Sequence, residues 1–145
     1  MEAAELRETL IEALRSIYTL EAFAALSDLL QGEMLVLQYL AGTQSAAVYP
    51  STLSKKLHLS PSRITAALSS LRRKGLVETE ASLSDRRRIQ VEITPAGQAH
   101  IGGKFHLLES YFDRLIAGLG EGDSRSLIAL IGRCVAVMDA PEKGK

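Results

Sequence analysis

Residues 50–77 read PSTLSKKLHLSPSRITAALSSLRRKGLV, and this stretch decides the fold. Ser60 can cap a helix with its hydroxyl, and Pro61 suits the first helical position, where a backbone N–H is not needed. Residues 72–74 place three positive charges in the last turn of that helix, and Gly75 is typical of the left-handed residue that ends one. The predicted elements are a short helix over 51–57, a tight turn and a second helix over 61–74.

A basic hairpin is predicted directly after these helices. Ile89, Val91 and Ile93 alternate with polar residues, which is the pattern of a half-buried strand. Residues 76–81 can pair with this strand in an antiparallel manner, so that 82–88 form an exposed tip with three consecutive arginines. Two helices joined by a tight turn and followed by such a hairpin form a winged helix-turn-helix.

Amphipathic helices are predicted on both sides of this unit. Apolar residues spaced by three and four predict one helix over 2–26 and another over 31–41. Thr94 and Pro95 repeat the cap-and-proline signal and open a long helix. Three glycines and a capping acid mark where that helix breaks and a last one begins: Gly118, Gly120, Gly122 and Asp123. The fold class is therefore mainly α with a small β-hairpin wing.

The terminal helices carry apolar stripes that have no obvious partner inside a winged helix. A lone helix with such a stripe needs a partner surface, and a second copy of the chain supplies one. We therefore expect a homodimer built on one domain, 1–145. Its predicted parts are a DNA-binding lobe over 31–97 and dimerisation helices over 1–26 and 98–140.

The charge of the chain is unevenly distributed although its formal sum is zero. Residues 50–90 hold nine Lys or Arg against three acids, whereas residues 1–49 hold two against seven and residues 91–145 hold six against seven. Because attraction to phosphate depends on the local field, the basic middle indicates a nucleic-acid partner. A solvated basic face without a partner is the alternative at this point.

The second predicted helix has two different faces. Ile64, Leu68 and Leu71 cluster on one side, and the opposite side carries mostly small residues. A small-residue surface lets a helix backbone sit deep in the major groove of DNA, where Arg63 can bind guanine with two hydrogen bonds. The alternative is a helix that packs on another protein through its small residues.

Five segments in order resemble the MarR family of winged-helix transcriptional regulators: 32–40, 53–60, 71–77, 85–87 and 93–97. The resemblance implies a recognition helix in the major groove and a wing in the minor groove. Arg87 then matches the wing-tip arginine that enters the minor groove, and Asp85 matches the acid that orients the tip. Tyr49 departs from the pattern, because the family usually has a capping Ser or Thr before the proline.

The resemblance and the helix faces together predict the site residues. The predicted DNA-binding residues are Ser51, Thr52, Lys55, Ser60, Ser62, Arg63, Thr65, Ala66, Ser69, Arg73, Arg86, Arg87 and Arg88, with Asp85 orienting the wing. The family also implies a repressor that binds a pseudo-palindromic operator as a homodimer and responds to small aromatic or phenolic effectors. Candidates to line an effector pocket are Tyr18, Tyr39, Phe105 and Tyr111, whose alternative role is packing in the core.

Other classes of function are disfavoured by the sequence. It offers no Ser/His/Asp set and no phosphate loop, and His58, His100 and His106 lack metal-ligand spacing, so we expect neither an enzyme nor a cofactor. Cys134 lies on an apolar stripe and is expected to be a buried, inert thiol. One cysteine, no apolar run and no leader indicate a cytoplasmic protein. A winged-helix protein-interaction module without specific DNA binding is the alternative function.

Overall fold

The computed structural model describes residues 2–43, 47–81 and 87–141. The chain divides into two compact units, Met1–Leu108 and Glu109–Lys145. Over the described ranges, none of the helices has the length and apolar character needed to cross a membrane. The elements in chain order are α1 (Ala3–Tyr18), α2 (Glu21–Leu29), α3 (Gly32–Gly42), α4 (Pro50–Leu57), α5 (Pro61–Arg73), β1 (Val77–Ala81), β2 (Ile89–Ile93), α6 (Pro95–Leu119) and α7 (Glu121–Asp139). A mainly helical fold with one hairpin is confirmed.

The prediction of one continuous helix over 2–26 is wrong, because α1 ends at Tyr18 and α2 begins at Glu21. The Thr19 hydroxyl donates to the carbonyl of Ser16 at 2.7 Å, and the Thr19 N–H donates to the same carbonyl at 3.3 Å. Leu20 is then extended, with φ −80° and ψ 138°. A threonine that bonds back to the main chain competes with helix propagation, and the apolar spacing continues across the break and conceals it.

The core of the first unit is built on α3, α4 and α5. Leu37, Leu53 and Leu71, one from each helix, are fully buried. The predicted inner face of α5 is confirmed, since Ile64 and Leu68 are buried as well. Because such side chains lose most of their contact with water, this packing fixes the orientation of α5 on the lobe.

The wing is an antiparallel pair in which Val77 lies opposite Ile93. On the other edge of β2, the Val91 N–H donates to the carbonyl of Val48 at 2.8 Å. Val91 is buried, but Ile89 is 52% exposed, so the inward face of β2 is narrower than its alternating pattern predicts. The predicted tip residues 82–86 lie outside the described residues.

A buried junction joins the end of α5 to the start of α6. Gly75 has φ +73°, the left-handed stop that the sequence predicts. The Thr94 hydroxyl donates to the carbonyl of Gly75 at 2.7 Å and accepts the Gly97 N–H at 3.0 Å. The Thr94 N–H donates to the carbonyl of Leu76 at 3.1 Å. Both ends of the hairpin are therefore fixed at one place.

The second unit holds the end of α6 and all of α7. Gly120, at φ +84°, is the N-cap of α7, and Asp123 lies in the first turn instead of capping it as predicted. The break between α6 and α7 lies at Gly120, whose positive φ ends one helix before the next begins. Gly118 and Gly122 lie inside the two helices on either side. Cys134 is exposed, so the prediction of a buried thiol is wrong for the single chain: the apolar stripe that carries it is itself exposed.

Candidate nucleic-acid interface

The start of α5 is fixed by the cap that its sequence predicts. The Ser60 hydroxyl accepts the Arg63 N–H at 3.2 Å, and Pro61 takes the first helical position. The Thr65 hydroxyl donates to the carbonyl of Pro61 at 2.9 Å. The hydroxyls of Ser60 and Thr65 therefore shape the first turn, and each still has lone pairs to accept a further hydrogen bond.

The outer face of α5 is exposed and mostly small, opposite the buried face that packs on the core. The structure brings together on this helix six of the predicted DNA-binding residues, all exposed: Ser62, Arg63, Thr65, Ala66, Ser69 and Arg73. Arginine lies near both ends of the face, and the residues between have short side chains. This surface can approach a groove closely and carries positive charge at its margins.

The start of α4 replaces the missing family cap with a different hydrogen bond. The Thr52 hydroxyl oxygen accepts the N–H of Tyr49 at 3.4 Å, and the Leu53 N–H donates to the carbonyl of Tyr49 at 3.1 Å. Thr52 is half-buried, whereas Ser51 and Lys55 are exposed. Of the three residues predicted to contact DNA from α4, Thr52 therefore has a structural role at the cap.

The turn between α4 and α5 depends on a residue that the sequence reasoning missed. His58 has φ 53°, a left-handed conformation that is uncommon outside glycine. The Ser54 hydroxyl donates to the carbonyl of Leu59 at 2.6 Å, and the Leu59 N–H donates to the carbonyl of Ser54 at 3.3 Å. The serine one turn before this left-handed residue is the local sequence signal of these two hydrogen bonds. The two bonds fix the turn and therefore the angle between α4 and α5.

Two of the predicted wing arginines lie within the described residues. Arg87 and Arg88 are both exposed. The guanidinium carbon of Arg88 lies over the ring of Tyr49, 3.7 Å from its centre. The predicted wing residues Asp85 and Arg86 lie outside the described residues.

The basic end of α5 is tied to its neighbours. The Arg72 guanidinium donates to the Thr79 hydroxyl on β1 at 3.0 Å, and the Lys74 ammonium donates to the carboxylate of Glu33 on α3. Burial alone would raise the pKa of Glu33, but hydrogen bonds from Lys74 and Ser70 and the charges of Lys74 and His100 together hold that pKa below its ordinary value. Arg72 and Lys74 therefore hold α5 in place, while Arg73 faces outwards.

A charged cleft of about 690 Å³ lies beside the Glu33–Lys74 pair. Lys104 of α6 donates to the carboxylate of Asp28 on α2 at 2.6 Å at its edge. The ionisable residues that line this charged cleft are Asp28, Glu33, Lys74, His100 and Lys104. Over the described ranges, no three His, Cys, Asp or Glu residues converge as a metal site would require.

The predicted aromatic effector residues do not line the charged cleft. Tyr18 is 72% exposed and contacts Phe23, with ring centres 4.7 Å apart. Tyr39 packs against the core, and Phe105 is exposed. Tyr111 belongs to the second unit and is half-buried. An aromatic effector pocket stays a prediction.

Comparison with known proteins identifies the segment that contains α3, α4, α5 and the start of the wing. Residues 27–88 match the model that describes the MarR family. Over this segment the chain is similar to the MarR family. That family consists of transcriptional regulators and not of enzymes. The matched segment contains α5, the second helix of the helix-turn-helix, and β1, the first strand of the wing.

Relatives and solved structures extend the likeness beyond this MarR segment. The HTH-type transcriptional repressor YetL of Bacillus subtilis is 26% identical over 100 residues, which are 69% of this chain and 58% of that relative. The crystal structure of YusO from B. subtilis matches with a TM-score of 0.73 at 16% identity, over 97% of this chain and 100% of that one. The chain therefore shares the fold of the YusO structure along almost its whole length.

MepR of Staphylococcus aureus, a transcription regulator of the multidrug efflux pump MepA, has the same fold. Its structure matches with a TM-score of 0.66 at 15% identity, over 96% of this chain and 100% of that one. MepR has also been solved with ethidium bromide, and a MepR mutant with an oligodeoxyribonucleotide.

Proposed function

We propose that this chain is a DNA-binding transcriptional repressor that reads the major groove with α5 and the adjacent minor groove with its wing. The observation that carries the proposal is the outer face of α5, where small exposed residues lie between Arg63 and Arg73. A MepR mutant, which has the same fold, has been solved bound to an oligodeoxyribonucleotide, and this supports the proposed function. Few long side chains reach from this face, so phosphate contacts and groove shape carry much of the affinity.

The repressor acts as a homodimer on a pseudo-palindromic operator. Within the first unit, α1 has no buried residue and exposes Leu6, Leu10 and Leu14. Within the second unit, α7 exposes Ile128, Leu130 and Ile131. Exposed apolar faces of this extent are typical of an interface, and a second copy of the chain related by two-fold symmetry can bury them. Such a dimer places its two recognition helices about 34–36 Å apart on DNA.

A small effector acts on the repressor at the charged cleft. MepR binds ethidium, which supports ligand binding by this fold. The cleft of this chain is lined by carboxylates, ammonium groups and an imidazole, so it suits a small compound that carries charge. A screen for compounds that release bound DNA tests this, with Lys104→Ala as the variant that should lose the response and Lys56→Ala as its control.

DNA binding is tested by selecting duplexes from a random pool and measuring affinity against salt. Arg87→Ala should weaken binding of the selected duplex and lower the slope of log K against log salt by about 0.9, because one phosphate-like contact is lost. Arg114→Ala removes the same charge from an exposed position on α6 and should leave both quantities unchanged. An unchanged slope for Arg87→Ala would refute the role of this arginine.

The alternative function, a protein-interaction module, makes a different prediction in the same experiment. Such a module would show no enrichment of a palindrome and no salt-dependent binding of duplex DNA. The two functions are therefore separated without knowledge of the operator.

A further inference from the structure

The base of the wing and the start of α4 are joined by two neighbouring contacts. The backbone bond from Val91 to Val48 lies among buried side chains, since both valines are almost fully buried. Beside it, the Arg88 guanidinium carbon lies 3.7 Å from the centre of the Tyr49 ring. The first contact is made by the main chain and is independent of side-chain identity, whereas the second requires these two residues.

The contact between Arg88 and Tyr49 is attractive and reaches the recognition helix through α4. A guanidinium over an aromatic face is held by the quadrupole of the ring. Tyr49 is the N-cap of α4, where its carbonyl accepts the Leu53 N–H at 3.1 Å and its own N–H donates to Thr52. Leu53 is fully buried against the core that also holds α5. The position of Arg88 is therefore linked to the position of α5.

We propose that Arg88 is a positioning residue: stacked on Tyr49, it fixes the base of the wing against the start of α4 and thereby fixes the approach of the neighbouring Arg87 to DNA. A two-stranded hairpin is marginally stable by itself, so a side-chain clamp at its base has a real effect on its order. The clamp also accounts for the departure at Tyr49, because a serine or threonine has no ring on which a guanidinium can stack. The clamp is a property of the free chain, and its effect on Arg87 rests on the proposed function.

Hydrogen exchange of the free protein tests the clamp without DNA. In Arg88→Gln, Tyr49→Leu and the double variant, the amides of residues 87–91 should exchange about two- to five-fold faster, by the same factor in all three. Tyr49→Phe keeps the ring and should exchange more slowly than Tyr49→Leu. Lys56→Gln removes a charge elsewhere on α4 and should match the unmodified protein. Arg88 is exposed, so Arg88→Gln alone gives a decisive result even if replacement of Tyr49 disturbs folding. Unchanged exchange in Arg88→Gln, or additive effects in the double variant, overturns the clamp.

Duplex binding then distinguishes positioning from direct contact. Under the clamp, Arg88→Gln weakens binding of the selected duplex about two- to five-fold in the unmodified background and has no further effect in the Tyr49→Leu background. An arginine that contacts phosphate itself would cause the same loss in both backgrounds, and that result overturns the positioning role. If the unmodified protein binds no duplex, the proposed function fails, and the exchange experiment alone decides the clamp.

Discussion

A methyl group added at Gly97 would collide with the chain segment that follows α5. Its Cβ would lie 2.1 Å from the carbonyl oxygen of Leu76 and 2.7 Å from Cγ1 of Ile93. Because the first of these atoms belongs to the backbone, the junction between α5 and α6 would have to shift. We expect Gly97→Ala to lower the free energy of unfolding by about 1–3 kcal/mol, measured by urea denaturation.

The same helix offers a matched control for this substitution. Gly102 also lies in α6, and a Cβ built there meets no atom within 4 Å. Gly102→Ala should therefore leave stability unchanged or raise it by up to about 1 kcal/mol, since alanine is the better helix former. Equal stability of the two variants would show that the close approach at Gly97 is relieved at little cost.

Residues whose roles are local could be predicted, and residues whose roles depend on distant partners could not. Ser60 and Gly75 act on their own helix, so their sequence neighbours are enough to identify them. Thr94 was predicted as a cap, but its hydroxyl also bonds Gly75, nineteen residues earlier. The contact of Arg88 with Tyr49 joins residues from separate elements, and no spacing rule brings such a pair together.

At the scale of elements, the ion pair between α3 and α5 makes the stability of the lobe depend on pH. The pKa of Glu33 is lowered in the folded state. The ionised carboxylate therefore stabilises the fold at pH values above the ordinary pKa of a glutamate, and this stabilisation is lost as the pH falls through the pKa that Glu33 has in the folded protein. Glu33→Gln should destabilise the protein by about 0.2–1 kcal/mol at pH 7. The difference from the unmodified protein should disappear in acid, as measured by urea denaturation at both pH values.

A second acid serves as the control for this pH dependence. Glu80 is exposed on β1, and Glu80→Gln removes the same charge without touching the α3–α5 pair. Its stability should follow that of the unmodified protein at both pH values. If Glu33→Gln remained destabilised in acid, the contribution of Glu33 to stability would come from the packing of its side chain and not from its charge.

Element boundaries show the same division between local and distant causes. The bounds of α4, α5 and both strands agree with the sequence prediction to within one residue, since cap, proline, glycine and alternation all act within a few residues. The break at Thr19 was missed because apolar spacing averages over a window and does not detect one threonine that bonds back to its own helix. The alternation in β2 likewise predicts an inward face but cannot tell that Ile89 lies beyond the edge of the core.

At the scale of the whole molecule, the exposed apolar faces predict assembly. We expect sedimentation equilibrium at micromolar concentration to give a dimer. Leu130→Glu places a charge on the exposed apolar face of α7 and should shift the protein to monomer, whereas Ser126→Glu on the same helix should not. A monomeric unmodified protein would refute the homodimer, and with it the pairing of two recognition helices on one operator.

The hairpin that begins at Val77 and ends at Ile93 has a consequence for protein engineering. Gly75, Leu76 and Thr94 are bonded to one another, so the hairpin leaves the lobe and returns to it at a single point. Val77 and Val91 are buried in the core and Arg88 stacks on Tyr49, so the stretch between β1 and Arg88 is the part that can be lengthened, shortened or exchanged without disturbing the lobe. The tip of the wing is thus replaceable, and a library of tips could be screened on one unchanged scaffold that keeps both strands, Arg88 and Tyr49.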